Sequence, residues 1–113
     1  MAYNYTYHLT SKACTDLEEI LNYLSGNLAN PTAASRFWSK LNAVIQETQS
    51  FPFSGPTVPY VLPQDTPGMP VRKKLVNQYV MFYLADSKQE RIIILRVIHG
   101  RQDTLEILRT LEL

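Results

Sequence analysis

The most constraining stretch is Arg91-Ile-Ile-Ile-Leu-Arg-Val-Ile98, which is apolar at all but its first and sixth positions. Successive residues of a strand face opposite sides of a sheet, so a run apolar on both parities needs cover on both faces. It therefore predicts an interior strand. The preceding run, Tyr79-Val-Met-Phe-Tyr-Leu-Ala85, is rich in β-branched and aromatic residues, and Asp86-Ser-Lys-Gln-Glu90 between the two carries no apolar side chain. The pair reads as a β-hairpin whose loop is longer than the tightest kind.

Arg96 interrupts the apolar run, and the chain leaves it through His99-Gly100-Arg101-Gln102-Asp103. Simple alternation puts Arg96 on one face with Ile92, Ile94 and Ile98, and His99 on the other with Ile93, Leu95 and Val97. A guanidinium keeps its charge in a protein and is costly to bury unpaired. Two readings stay open. Arg96 pairs structurally with a carboxylate such as Asp103 or Glu106, and His99 is a satisfied strand-end histidine. Alternatively, Arg96, His99 and Arg101 form a cationic cluster for phosphate or an acidic partner.

Charge bears on that choice. The chain has a formal net charge of only +1, yet residues 71–101 carry seven Lys/Arg against Asp86 and Glu90. A one-sided positive surface favours an anionic partner, although lysines also serve to protect sheet edges. The 113 residues predict one domain, 1–113, and the mix of 45% hydrophobic and 19% charged residues is that of a soluble globule. No run is long enough to cross a bilayer, so no membrane partner is expected, and Met-Ala-Tyr-Asn-Tyr does not resemble a secretory signal. The single cysteine, Cys14, allows no internal disulfide and fits a reducing cytoplasm.

Tyr3 to Leu9 alternates aromatic and polar residues and predicts a first strand, with His8 solvated. Thr10 or Ser11 caps a helix whose Ala13, Leu17, Ile20, Leu21, Leu24 and Leu28 share a face, with Gly26-Asn27 as its stop. Asp16, Glu18 and Glu19 fall on its early polar side. Cys14, beside Leu17 and Leu21, is expected in the core. Asn30-Pro31 starts a second helix, carrying Ala34, Phe37, Trp38, Leu41, Ile45 and Thr48 as its stripe and ending near Gln49. The short link makes the two an antiparallel hairpin, with Phe37 and Trp38 as core anchors.

Residues 51–70 hold six of the seven prolines and two of the four glycines, a long segment without regular structure. Val71 to Val76 is a basic strand, Asn77-Gln78 its turn, and residues 104–113 a short helix capped by Asp103. The fold class is α+β, in the order β-α-α-β-β-β-α: a helical hairpin on a small, mainly antiparallel sheet.

Two isolated histidines and one cysteine do not make a metal site, and the scattered glycines form no phosphate loop. No cofactor is expected. Metal-free nuclease chemistry could draw on Arg72, Lys73, Lys74, Arg96, His99 and Arg101, with the hydroxyl of Tyr79 or Tyr83. Of these six basic residues only His99 is a natural base near neutrality.

Several motifs, in order, resemble the RelE/ParE superfamily of toxins from bacterial type II toxin–antitoxin pairs. They are Tyr5-Thr-Tyr-His-Leu-Thr10, Ala13-x-x-Asp16-Leu17-x-x-Ile20-x-x-Tyr23, Ala33/Ala34-x-x-Phe37, Phe51-Pro52-x-x-Gly55, Tyr79-x-x-x-Tyr83 and Ile94-Leu95-Arg96-Val97-Ile98-His99-Gly100-Arg101-x-Asp103. The resemblance covers nearly the whole chain and implies a cytoplasmic toxin neutralised by a cognate antitoxin. The ParE-like branch poisons DNA gyrase and is not an enzyme, which makes gyrase the implied partner. The RelE-like branch cuts messenger RNA on the ribosome without metal, and would use Arg72, Lys74, Arg96, His99 and Arg101 as catalytic residues. On either branch the implied target-binding set is Arg72, Lys73, Lys74, Tyr83, Arg96, His99 and Arg101. The long helical hairpin and the Asp16-Leu17-x-x-Ile20-x-x-Tyr23 motif resemble the ParE-like side. So does a C-terminus without tyrosine or histidine. A third possibility is a member that binds antitoxin without being toxic.

Overall fold

The computed structural model describes residues 4–27, 30–59, 68–101 and 106. Its elements are β1 (Thr6–Leu9), α1 (Ser11–Asn22), a π-helical turn (Tyr23–Asn27), α2 (Pro31–Ser50), β2 (Arg72–Val76), β3 (Tyr79–Asp86) and β4 (Arg91–His99). The strands form one sheet in the order β1-β4-β3-β2, with β1 and β4 parallel and the other pairs antiparallel. The expected C-terminal helix, 104–113, lies outside the described residues except for Glu106.

β4 is the interior strand its composition predicts, flanked by β1 and β3. On its helix side Ile92, Ile94 and Val97 join Ala13, Leu17, Phe37, Leu41 and Ile45 in one core. On the far side Leu95 and Ile98 join Phe82, Leu84, Val58 and Val71 in a second. Simple alternation fails in the middle of the strand. Tyr83 pairs with Ile94 but Phe82 with Arg96, so Leu95 is an extra residue in β4. The bulge reverses the phase of everything beyond it. Val97, expected opposite Ile92 and Ile94, therefore joins them, and Ile98 goes to the other face.

The helices start where their capping residues predict. The Thr10 side chain accepts the Ala13 N–H, and Asn30 accepts the Ala33 N–H with Pro31 in the first turn. α2 buries Phe37, Leu41, Val44, Ile45 and Thr48. Trp38 is a correction: one residue off that stripe, it stays 49% exposed while Phe37 is 2% exposed. Cys14 is another, exposed beside the buried Ala13 and outside the core. Asp16, expected on a polar face, is buried. α1 is α-helical to Asn22 and widens at Tyr23 into a π-helical turn that runs to Asn27, at the Gly26-Asn27 position where the sequence places the stop.

The first strand is shorter than expected, beginning at Thr6. Tyr5 instead pairs with the end of α2, giving its N–H to the Gln49 carbonyl and accepting from Gln49 Nε2. His8 is exposed, as anticipated. In the proline-rich segment, residues 56–58 lie along the outer edge of β2. Val58 N–H donates to the Val71 carbonyl and Lys73 N–H to that of Pro56. The β2–β3 turn needs a positive φ, which Asn77 supplies at 56°. No helix among the described residues is long and apolar enough to cross a membrane.

Candidate functional site

The structure separates the seven candidate residues into two groups. Arg72, Lys73, Lys74 and Tyr83 lie on β2 and β3 beside residues 51–57. Arg96, His99 and Arg101 lie at the end of β4. Phe82 pairs with both Lys73 and Arg96, so the three cations of β2 and the β4 group sit on opposite sides of β3, roughly 10 Å apart across the sheet at two strand spacings.

In the first group most of the polar capacity is spent inside the fold. Arg72 Nη1 donates to the carbonyls of Gly55 (2.8 Å) and Phe53 (3.1 Å), and its guanidinium carbon lies 5.2 Å from the centre of the Phe53 ring. Tyr83 is fully buried. Its Oη donates to the Pro52 carbonyl at 2.9 Å and accepts the Gly55 N–H at 3.1 Å. Burial pushes the Tyr83 phenol above its ordinary pKa. Gly55 is obligatory for this approach, because a Cβ there would sit 2.6 Å from Tyr83 Oη and 2.7 Å from the Lys73 carbonyl. Lys74 Nζ donates to Glu47 Oε1 on α2 at 2.7 Å, a bond that lowers the Glu47 pKa. Lys73 is exposed.

In the second group Arg96 is held just as firmly. Its Nε and Nη2 donate to Asp16 Oδ2 and Oδ1 of α1 at 2.7 and 2.8 Å, and the Val97 N–H donates to Oδ2 at 3.0 Å. The carboxylate that binds Arg96 is thus Asp16 of α1, where the sequence suggested Asp103 or Glu106; Asp103 lies outside the described residues. The geometry explains the choice: β1 pairs with β4 only as far as Leu9–Ile94. Beyond that point Thr10 Oγ1 takes over the Leu95 carbonyl and Asp16 the Val97 N–H. α1 thus completes the ladder that β1 leaves unfinished. Hydrogen bonding to Asp16 pushes the Arg96 pKa up, against partial burial, and the Asp16 and Glu19 charges add to it.

The His99 and Tyr79 rings meet nearly at right angles with centroids 5.4 Å apart, and Tyr79 in turn meets Phe37 at 5.0 Å. His99 Nδ1 accepts the Arg101 N–H at 3.1 Å. Gly100 N–H donates to the Gln78 carbonyl, turning the strand end back over the β2–β3 turn. Arg101 is exposed.

Arg96 and His99 share a cleft of about 440 Å³ with Asp16, Glu19, Tyr23 and Tyr79. Burial, and then the neighbouring Tyr23, raise the Tyr79 pKa. Of these four, Tyr79 was anticipated only as a hydroxyl for nuclease chemistry; Asp16, Glu19 and Tyr23 were not among the predicted site residues, although Asp16 and Tyr23 anchor one of the motifs that carried the resemblance. Among the described residues no three His, Cys, Asp or Glu side chains come together as metal ligands.

Residues 7–104 match the sequence pattern of the family described as "ParE toxin of type II toxin-antitoxin system, parDE". The fold is similar to a chain of the chromosomal ParDE toxin–antitoxin system from P. aeruginosa. That match has a TM-score of 0.63 and 19% identity over 86% of this chain and 97% of that one. It is also similar to a chain of the toxin–antitoxin complex RelBE2 from Mycobacterium tuberculosis, at a TM-score of 0.56 and 20% identity over 85% and 98%. No curated protein sequence matches the chain.

Proposed function

The chain belongs to the family of ParE toxins of type II toxin–antitoxin systems, and on that footing we propose that it inhibits DNA gyrase until a cognate antitoxin neutralises it. This reading places its action in the cytoplasm. The observation that carries it is the way the cations are committed. Arg72, Lys74 and Arg96, which a metal-free nuclease would turn towards a phosphate, are bound to carbonyls and carboxylates of the protein itself. The remaining basic candidates, Lys73, His99 and Arg101, lie on two sides of β3 and do not converge on one reacting centre. Such an arrangement suits a protein that grips a partner better than one that cuts RNA.

The experiment is incubation of the purified protein with gyrase, ATP and supercoiled plasmid. Accumulation of protein-linked cleaved DNA supports the reading. Ribosome-dependent cuts in messenger RNA, mapped by primer extension in the absence of any effect on gyrase, would replace it with the nuclease. Growth unaffected by expression of the folded chain would point to the non-toxic member. Arg101→Ala is the informative substitution on the target surface, because Arg101 is exposed and its loss leaves the core intact. It should weaken gyrase trapping about tenfold at unchanged thermal stability, the effect of one lost interfacial cation. Arg96→Ala cannot serve, since it strips Asp16 of its partner and disturbs the fold.

A further inference from the structure

The cleft beside Arg96 carries the opposite charge to the one the basic strand end suggests. Asp16 is neutralised by Arg96, and its oxygens are occupied by that guanidinium and the Val97 N–H. Glu19, three residues along α1, adds a second carboxylate to the same wall. It is exposed, forms no salt bridge with the described residues, and lies near enough to Arg96 to influence it. Among the described residues, the two carboxylates of Asp16 and Glu19 face the single guanidinium of Arg96 in this cleft, a surplus of one negative charge over that pair.

The remaining walls are aromatic. Tyr23 opens the π-helical turn and is half exposed, and Tyr79 faces the cleft from β3. The faces of such rings attract cations, and π-helical turns within helices recur at functional positions. An anion would meet Glu19 and the two phenol rings here, so phosphate does not fit.

We propose that this cleft receives an arginine side chain presented by a protein partner, its guanidinium paired with Glu19 and stacked against Tyr23 and Tyr79. Arginine fits better than lysine because its planar fork can bind a carboxylate through two bonds while lying flat on an aromatic ring. The site stands apart from the gyrase reading, since the antitoxin or the target could present the arginine.

The test uses the whole protein and two probes, N-acetyl-L-arginine N-methylamide and the matching amide of citrulline, which has nearly the same shape without the charge. The arginine probe should give saturable NMR shifts at the rings of Tyr23, Tyr79 and His99, and the citrulline probe should not. Glu19→Gln, at an exposed position that leaves folding intact, should weaken the arginine probe about tenfold, as expected for a paired and stacked guanidinium. Equal response to both probes, unchanged binding in Glu19→Gln, or shifts confined to other surfaces would overturn the proposal. Glu19→Gln and Tyr23→Ala are then measured in antitoxin affinity and in gyrase trapping. A loss in either assay identifies the partner that supplies the arginine, and no loss in both overturns the site.

Discussion

Two seams tie the sheet to its surroundings, and they are built on different principles. At the α1–β4 seam one carboxylate, Asp16, accepts three hydrogen bonds, two from Arg96 and one from the Val97 backbone. On the β2 side the work is shared among the Tyr83 hydroxyl, the Arg72 contacts with residues 53 and 55, the close approach of Gly55, and the Lys74–Glu47 pair. Side-chain exposure sharpens the contrast. Asp16 and Arg96 are 8% and 17% exposed, whereas Glu47 is 63% exposed opposite a Lys74 at 10%. Concentrating a seam in one charge makes it strong and brittle. Spreading it over several separate contacts makes each part individually replaceable.

The largest expected effect follows from the brittle seam. Asp16→Ala leaves a guanidinium and a backbone N–H without their acceptor, and should cost about 3 kcal/mol of unfolding free energy, as for other broken buried pairs. Denaturant titration measures it, and a cost no greater than that of Glu47→Gln would erase the contrast between the seams. Next comes Gly55→Ala. Its methyl group would collide with Tyr83 Oη and the Lys73 carbonyl, the second a rigid obstacle, and overpacking of this kind costs about 2 kcal/mol. A fully stable Gly55→Ala protein would mean that residues 51–57 can move away from the sheet.

Tyr83→Phe removes one hydroxyl that serves two backbone groups. Leaving the Gly55 N–H and the Pro52 carbonyl unpaired should cost about 1.5 kcal/mol. The same residue gives an alkaline signature. Its pKa is raised in the fold by burial above the ordinary 10.0, so the unfolded chain ionises first. Stability is therefore intact below the ordinary value and falls as pH rises beyond it towards the folded one. In Tyr83→Phe the alkaline decline should be shallower, measured by urea midpoints across that range.

The sheet, both helix starts and the interior placement of β4 were legible in the sequence because each rests on local chemistry: hydrophobic period, capping residues, and an apolar run on both parities. The bulge at Leu95 was not. It depends on how β3 and β4 align across the ladder, and nothing in the one-dimensional pattern marks which residue is extra. It moved Val97 and Ile98 to the opposite faces from those alternation assigns. The Asp16–Arg96 pair was hidden for a related reason. Its members are 80 residues apart, and an aspartate in the first turns of a helix has a sufficient local explanation in the helix dipole. Trp38 and Cys14 erred in the other direction, as apolar side chains one position off a stripe that their neighbours already fill.

The smallest effect is also the cleanest probe of the distributed seam. Glu47 lies on the solvent side of its bond to Lys74, so water screens most of the attraction, and Glu47→Gln should cost no more than about 0.5 kcal/mol. The hydrogen bond from Lys74, aided by the charges of Lys74 and Lys40, holds the Glu47 carboxyl below its ordinary 4.5. A depressed carboxyl stabilises the fold above the unfolded pKa and loses that contribution as pH falls through the folded one. The difference between wild type and Glu47→Gln should accordingly be constant near neutrality and vanish only below the ordinary carboxylate range. A difference that grew towards acid pH would show that Glu47 is destabilised by its surroundings, and the β2 seam would then have to be assigned to Arg72 and Tyr83 alone.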